Sequence, residues 1–490
     1  MKKKSVRKNY FYNLIYQLFV LILPIVTTPY VSRILGAKNI GIYGYTLSIS
    51  AYFVLFGVLG TNLYGQREIA YYQKDKKKYT KIFYEILLLK LIVMALAMGV
   101  FYITFAKGSG GYTLFYKILM LELFANGIDV SWFFQGLEDF KKTSIRNFIV
   151  KIISIILIFV LVKEKSDLNL YFIIYVLSIL VGNLSLWISL PKYLDKLNLK
   201  ELKIFNHFIP TFIMFVPQAA IQVYTVLDRT MIGKIIHDKT EVGYYTQAEK
   251  IVKLLLTIVS SLGIVMLPRL ASKFAAGDNE GIKKYIYKSF RFTSLLSFPI
   301  IMGIVACSDY FVPVFFGEGY DRVSIVMKML CPIILFIGVS GIIGYQYFLA
   351  TKHQKEYTAS VIIGSIINFI INIIMIPKYG AVGAAIGTIA AEFSVAFVQI
   401  ILTWKFLNYK RIILDNLAYV VGSGIMYIGC ISVNRYIHYT NMTNLIIIVS
   451  TGVIIYGFYL IIIRDSFVFE VINKILRKVR KQWKKQLKKF

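Results

Sequence analysis

Charged side chains interrupt the apolar runs of this sequence at a few places. Their residue types would allow them to bind a charged substrate or a coupling ion. An ionised group within hydrocarbon is costly, so such side chains usually line a cavity or pair with one another. The basic candidates for contact with a substrate are Arg33, Arg67, Arg229, Lys250 and Lys253. The acidic candidates for a coupling-ion site are Glu122, Asp129, Glu249 and Glu392.

Two of these residues, Lys253 and Glu392, lie deep in their apolar runs, which favours a functional role for each. Glu249 precedes Lys253 by one helical turn, so the two share a face. Glu122 and Asp129 fit two interpretations, a buried structural pair or a site for the coupling ion.

The three arginines Arg33, Arg67 and Arg229 lie near the ends of their runs. There a long side chain can reach water or fix the geometry of a loop instead of contacting a substrate. Asp228, directly before Arg229, would neutralise its neighbour.

These residues belong to a chain that is apolar almost throughout. Of its 490 residues, 57% are hydrophobic and 17% are charged, and the mean hydropathy is +0.65. The apolar residues form runs of about 20 or more, the length of helix that crosses roughly 30 Å of hydrocarbon. We therefore predict an all-α polytopic membrane protein of about fourteen transmembrane helices. The predicted segments are 10–35, 40–66, 82–106, 112–137, 145–163, 169–190, 206–233, 242–268, 286–307, 323–350, 356–377, 381–405, 411–433 and 443–463.

Basic residues are distributed unequally between the two sides of these segments. Of the 56 Lys and Arg residues, 40 lie in or beside the connections on the side of the N-terminus, 9 on the opposite side and 7 within segments. The positive-inside rule then places both termini in the cytoplasm, with the loops 67–81, 138–151 and 269–291. The net charge of +31 is therefore expected to face anionic membrane lipids, and it does not indicate a nucleic-acid surface.

The basic start of the chain, followed by an apolar run, has the form of a secretory signal. No small-residue cleavage site follows it, so we expect a retained first helix.

Two short patterns recur about 200 residues apart. SRILGAKNIGIYGY at 32–45 is matched by DRTMIGKIIHDKTEVGYYT at 228–246, and FFQGLEDFKKTS at 133–144 by YFLATKHQKEYTA at 347–359. The offset fits six helices plus loops, which predicts two parallel repeats. Chance similarity between apolar helices is the alternative.

The repeat predicts four parts of the chain. An N-terminal six-helix lobe would cover 1–200 and a C-terminal six-helix lobe 201–408. Helices 13 and 14 would occupy 409–465, and 466–490 would form a basic amphipathic tail on the cytoplasmic leaflet.

Motifs of soluble enzymes are absent from the sequence. It contains no phosphate-binding GxxxxGK[ST] loop, no GxSxG and no HExxH. Its three cysteines and four histidines are dispersed, so neither a metal site nor a disulfide framework is indicated. We therefore expect a protein that is not an enzyme and that binds no cofactor other than a coupling ion, H⁺ or Na⁺.

The first seventy residues carry a family resemblance. NLIYQLFVLILPIVTTPYVSRILGAKNIGIYGY (13–45) and FGVLGTNLYGQREIAYY (56–72) are similar to the opening of Wzx-type polysaccharide repeat-unit flippases. These belong to the polysaccharide-transport branch of the multidrug/oligosaccharidyl-lipid/polysaccharide exporter superfamily. The resemblance continues through WFFQGLEDFKKTS and LDRTMIG, so it covers most of the chain.

The resemblance implies two six-helix lobes around a central cavity, with alternating access driven by an ion gradient. The implied cargo is an oligosaccharide linked to undecaprenyl diphosphate, flipped in the bacterial cytoplasmic membrane for capsule, O-antigen or exopolysaccharide biosynthesis. Cationic cavity residues are a family feature, and the matching positions in the opening pattern are Arg33 and Arg67. A polysaccharide polymerase and export machinery are the implied protein partners.

Three alternatives stay open. A lipid II-type flippase differs only in cargo. A drug/cation antiporter of the same superfamily would need an acidic, aromatic-lined cavity, which the basic candidates argue against. A membrane polysaccharide polymerase would carry a large external loop with catalytic arginines, whereas the longest external loop predicted here, 308–322, is short and acidic.

Overall fold

A computed structural model describes residues 6–108, 110–195, 201–465 and 467–469. These residues form helices and short connections, with no β-strand among them. Helices satisfy their backbone hydrogen bonds within each segment, as hydrocarbon requires. The predicted all-α polytopic class is confirmed, whereas the predicted amphipathic tail lies almost entirely outside the described residues.

The first half of the chain begins with one long helix, α1 (Val6–Val58), which joins the first two predicted segments. Gly36, with φ of 77° and ψ of 165°, makes a kink where a loop was predicted, and glycine tolerates that positive φ. The other helices are α2 (Thr61–Tyr71), α3 (Lys76–Phe101, continued by a π-helical turn at Tyr102–Ala106), α4 (Thr113–Gly127), α5 (Ser131–Gly136), α6 (Phe140–Leu161), α7 (Leu168–Trp187) and α8 (Phe208–Ile235).

The second half contains longer helices and shorter connections than predicted. The predicted external loop 308–322 shortens to 317–320, because α10 continues to Phe316 and α11 begins at Asp321. The helices are α9 (Thr240–Ala275), α10 (Asn279–Phe316), α11 (Asp321–Leu330), α12 (Ile333–Ser340, continued by a π-helix at Gly341–Phe348), α13 (Gln354–Tyr379), α14 (Ala381–Thr403), α15 (Tyr409–Asn434) and α16 (Asn441–Ile462).

Eleven helical stretches among the described residues are long and apolar enough to cross a membrane. The first of them, Ile22–Tyr71, contains residues 22–35 of the first predicted segment and all of the second. The fourth predicted segment is divided between α4 and α5. The seventh lies on α8 and overlaps a shorter apolar stretch at Ile204–Val216. Every predicted segment therefore overlaps a helix, and the number of crossings stays a prediction.

The chain divides into two compact units. Unit 1 consists of Met1–Gln247, Phe316–Tyr320 and Asn368–Gly387. Unit 2 consists of Ala248–Phe315, Asp321–Ile367 and Thr388–Phe490. The two six-helix lobes and the other predicted parts are defined by the sequence repeat, and they stay a prediction.

Within unit 1, α2 and α5 pack closely around a buried tryptophan. The ring of Trp132 on α5 stacks on Phe83 of α3, with 5.5 Å between ring centroids. Gly65 of α2 lies directly against the same ring, because a Cβ there would come within 2.4 Å of a Trp132 ring carbon. This contact holds α2, which carries Arg67, against α5, which follows the turn at Asp129.

Candidate functional site

A cavity of about 480 Å³ lies in unit 1 among α1, α2, α4, α7 and α8, and it is within the size range of small-molecule pockets. The polar residues that line it, which we call the amide pocket, are Asn62, Glu122, Asn126, Tyr175, Gln218 and Gln222. The remaining lining is Gly60 and an apolar wall made by Ala51, Val54, Leu55, Val58 and Ile179.

Gly60 brings α8 against the end of α1. Its φ is 71°, and a Cβ at this position would lie 2.8 Å from the carbonyl oxygen of Thr211 and 2.9 Å from the backbone nitrogen of Phe215. Glycine is therefore required both by the backbone conformation and by the close approach of α8. The approach places Gln218 and Gln222 at the cavity.

Glu122 is the acidic residue of the amide pocket, and it is buried. Ser50 Oγ donates to its Oε2 and the Tyr175 hydroxyl donates to its Oε1, both at 2.8 Å. The Asn126 amide donates to its backbone carbonyl at 2.9 Å. The Glu122 carboxylate is thus held by two other helices, α1 and α7, and it makes no hydrogen bond to Asp129.

Asp129 lies in the turn between α4 and α5. Its carboxylate accepts hydrogen bonds from the backbone nitrogen and hydroxyl of Ser131, at 3.0 and 2.8 Å. The fully buried Lys90 donates to the carbonyl oxygen of Asp129 at 2.9 Å and to Asn62 Oδ1 at 3.1 Å. These contacts fix the helix break, so they support a structural role for Asp129.

A second buried carboxylate, Asp228 on α8, is the centre of a polar cluster in unit 1. The Tyr245 hydroxyl donates to its Oδ2 at 2.5 Å. The side-chain amides of Asn372 and Asn368 donate to its Oδ1 at 2.6 and 3.1 Å. All four side chains are buried. We call this set the Asp228 cluster.

Sequence reasoning missed the Asp228 cluster, because it treated Asp228 only as a neighbour of Arg229. A signal was present in α13, where Asn368 and Asn372 stand one turn apart in an otherwise apolar run. Two amides on one face of a transmembrane segment indicate a polar partner on another helix. That partner is Asp228, which lies more than 100 residues away in the sequence and is brought into contact by the fold.

The arginine candidates are in unit 1. Arg67, one turn before the end of α2, pairs with its neighbour Glu68 at 3.0 Å, and its guanidinium lies 5.2 Å from the centre of the Tyr64 ring. Arg33 is exposed near the kink of α1, and Arg229 is half-buried on α8. Their roles in binding stay predictions.

The lysine candidates are on α9 in unit 2. Lys253 Nζ donates to Glu249 Oε1 at 2.5 Å, across one helical turn, as their spacing predicts. The Glu249 side chain is 6% exposed and the Lys253 side chain 41% exposed. Lys250 is exposed.

Glu392 on α14 is buried in unit 2, with 8% of its surface exposed. Its depth in the membrane and a role in ion coupling stay predictions.

Residues 6–274 match the family model described as "Polysaccharide biosynthesis protein", and residues 214–374 match the model described as "MatE". A candidate O-antigen transporter of Escherichia coli is 26% identical over 395 residues, which are 80% of this chain and 94% of that protein. A capsular polysaccharide biosynthesis protein of Staphylococcus aureus is 25% identical over 76% of this chain and 92% of that protein.

Among solved structures, a lipid II flippase in an inward closed conformation superimposes with a TM-score of 0.74 at 19% identity. The match covers 93% of this chain and 99% of the flippase chain. At that identity the likeness establishes the fold. Because the first family model spans more than half of the 490 residues, the chain belongs to the polysaccharide biosynthesis protein family, and it is a multi-pass membrane protein.

Proposed function

We propose that this chain is a flippase that moves undecaprenyl-diphosphate-linked oligosaccharide repeat units from the inner to the outer leaflet of the bacterial cytoplasmic membrane. The observation that carries the proposal is family membership of a chain built almost entirely from apolar helices. A relative named for O-antigen transport, matched over 94% of its length, supports the same substrate class. Such helices offer a polar head group a protected route across hydrocarbon.

The diphosphate is the part of the cargo that hydrocarbon excludes most strongly. Its negative charge requires cations that replace water, and arginine and lysine form charge-assisted hydrogen bonds with phosphate oxygens. We assign this role to Arg33, Arg67 and Arg229 in unit 1 and to Lys250 and Lys253 in unit 2. The polyprenyl tail stays in the lipid while the head group moves.

Transport against a concentration difference needs a group that binds H⁺ or Na⁺ differently in two conformations. The sequence candidates for this group are Glu392, Glu122, Asp129 and Glu249. Burial of Glu392 supports it as the first choice, whereas Asp129 caps a helix break. Asp228 joins the candidates, because its buried carboxylate receives three donors from two other helices.

We also propose that both termini are cytoplasmic and that other proteins of polysaccharide assembly act after this one. The 40-to-9 distribution of basic residues supports cytoplasmic termini, with the basic loops against anionic lipids. A polysaccharide polymerase and export machinery would take over the flipped repeat unit.

The alternatives differ in cargo or in class. A lipid II-type flippase would share the fold and the cationic requirement. A drug/cation antiporter would need an acidic cavity rather than the five basic candidates. A membrane polymerase is disfavoured because the connection between α10 and α11 is only 317–320.

The proposal is tested by depleting the protein in its host and locating the lipid-linked repeat units. Depletion should trap the units on the cytoplasmic leaflet, where an impermeant glycosidase added to intact spheroplasts leaves them uncut. Re-expression should restore cleavage. If depletion instead accumulates single repeat units on the outer leaflet, the chain acts after flipping and the flippase assignment is wrong.

A further inference from the structure

The residues that line the amide pocket in unit 1 do not suit a diphosphate. Of the twelve residues that line the cavity, six are polar, and none is a lysine or an arginine. Glu122 is the one ionisable carboxyl group of this lining. A diphosphate would be repelled by a carboxylate and would find no cation among these residues. The cavity therefore suits a different part of the cargo.

The amides of the pocket keep hydrogen-bonding capacity for a ligand. A side-chain amide has two donor hydrogens and one carbonyl acceptor. Asn126 uses a donor on the Glu122 carbonyl, and Gln218 uses a donor on the Met214 carbonyl, both at 2.9 Å, which leaves both acceptors. Asn62 uses its acceptor on Lys90 at 3.1 Å, which leaves its donors.

Gln222 is the most adaptable group of the pocket. It is exposed at the cavity, and its side chain makes no hydrogen bond to the part of the chain that the structure describes. Both halves of this amide are thus open to a ligand. Together the amides present donors and acceptors side by side, which is what adjacent sugar hydroxyls require, since each hydroxyl both donates and accepts.

The same cavity has an apolar wall beside the amides. Val54, Leu55, Val58 and Ile179 belong to this wall, and the ring of Tyr175 adds an aromatic surface. A pyranose presents hydroxyls at its edge and C–H groups on its faces. Ligand pockets of this kind combine a mostly apolar surface with a few placed polar groups that set orientation.

The charge of the lining discriminates between sugars. An ionised group that is moved out of water needs a counter-charge or several hydrogen bonds. An acidic sugar would meet Glu122 and no cation among the lining residues. Lys90 is fully buried and donates to Asn62 and to the Asp129 carbonyl. An uncharged sugar has no such cost.

We propose that the amide pocket is a subsite for an uncharged sugar of the lipid-linked glycan and that it disfavours acidic sugars. The subsite rests on the proposed flippase function, because it recognises the head group of that cargo. It adds selectivity for the sugar to the recognition of the diphosphate by the basic residues proposed above.

The test measures binding to the purified full-length protein in lipid nanodiscs with three probes. They are undecaprenyl diphosphate alone, the same carrier bearing glucose and the same carrier bearing glucuronic acid. The wild type should bind the glucose form more tightly than the glucuronic acid form, by about 10-fold. Gln222→Ala should weaken binding of the glucose form by about 3- to 10-fold and leave the bare carrier unchanged.

A charge introduced at the pocket provides a gain of function. Gln222→Arg should raise the affinity for the glucuronic acid form relative to the glucose form. Gln354→Arg is the matched control, since it adds the same charge at an exposed position at the start of α13. That control should leave the ratio of the two affinities as in the wild type.

The outcomes of these binding measurements distinguish failure of the sugar subsite from failure of the flippase proposal. Equal affinities for the two sugar forms, or equal weakening of all three probes by Gln222→Ala, would overturn the subsite while the carrier still binds. If the folded wild-type protein binds none of the three carriers, the flippase proposal itself fails, and the subsite with it.

Discussion

Lys253 and Glu249 form an ion pair on α9, with 2.5 Å between Nζ and Oε1. The carboxylate is buried, and the lysine is partly open to its surroundings. The proposed anchor for the diphosphate is therefore already held in place by an acidic neighbour. A bound phosphate would compete with Glu249 for the same ammonium group, which links head-group binding to the state of a buried carboxylate.

Lys253→Ala should abolish transport and also lower the stability of the protein. The substitution removes the cation for the head group and leaves Glu249 buried without this partner. Because Lys253 is partly exposed, the loss of unfolding free energy should be about 1 kcal/mol. Thermal unfolding in detergent and flux in proteoliposomes measure the two effects.

The double variant Lys253→Ala/Glu249→Gln separates the effect on transport from the effect on stability. It should regain stability, because the buried charge is gone, and it should still fail to transport. Lys253→Arg should keep more activity than alanine, since the charge remains. Normal flux in Lys253→Ala would show that this lysine is structural.

Glu392→Gln should keep substrate binding and lose transport driven by an imposed H⁺ or Na⁺ gradient. The amide preserves the shape of the side chain but cannot exchange an ion with the carboxylate's affinity. Folded yield, substrate binding and gradient-driven flux are measured on one preparation. Glu280→Gln, exposed at the start of α10, is the control. Wild-type flux at normal yield would remove Glu392 from the mechanism, and a fall in yield alone would indicate a structural ion pair.

Asp228→Asn should likewise reduce the dependence of transport on the gradient. The variant loses a carboxylate that accepts from Tyr245, Asn368 and Asn372, at a stability cost of about 1 kcal/mol. Asp238→Asn makes the same chemical change at an exposed loop residue and should transport normally. An unchanged gradient dependence in Asp228→Asn would restrict the cluster to holding helices together.

Gly65→Ala should destabilise the protein by about 1–3 kcal/mol, because the added methyl group overlaps the buried ring of Trp132. Gly99→Ala, on α3, is the matched control, since nothing lies within 4 Å of a Cβ there. It should be neutral or stabilising, because alanine favours a helix over glycine. Equal thermal unfolding of the two variants would contradict the packing of α2 against α5.

The predicted topology is tested with single cysteines in a variant without Cys307, Cys331 and Cys430. Glu318→Cys, in the connection 317–320, should react with an impermeant maleimide on intact cells. Lys77→Cys, exposed at the start of α3, and Ala276→Cys, exposed directly after α9, should react only after permeabilisation. Labelling of Ala276→Cys on intact cells would contradict the fourteen-crossing arrangement.

Most helices could be predicted from the sequence, because apolar runs of about 20 residues have few other stable structures. The exceptions depend on local backbone conformation. Gly36 kinks a continuous α1 where its polar surroundings predicted a loop, and the turn at Asp129 divides one predicted segment into α4 and α5. A hydropathy pattern does not distinguish a kink from a loop.

The candidate site was predicted less completely, and the reason is sequence separation. Glu249 and Lys253 are four residues apart, so helical geometry alone predicts their contact. Glu122 meets Tyr175, and Asp228 meets Asn372, across 53 and 144 residues. Such contacts depend on how helices pack, which residue types and spacing do not specify.

The central claim is tested most directly by flux measured with purified protein. The lipid-linked repeat unit of the host is placed in one leaflet of proteoliposomes, a gradient of H⁺ or Na⁺ is imposed, and an impermeant glycosidase reports arrival in the other leaflet. We predict gradient-dependent arrival well above that in protein-free vesicles, and its loss in Lys253→Ala/Glu249→Gln. Folded wild-type protein that gives no more flux than empty vesicles under either gradient would contradict the account.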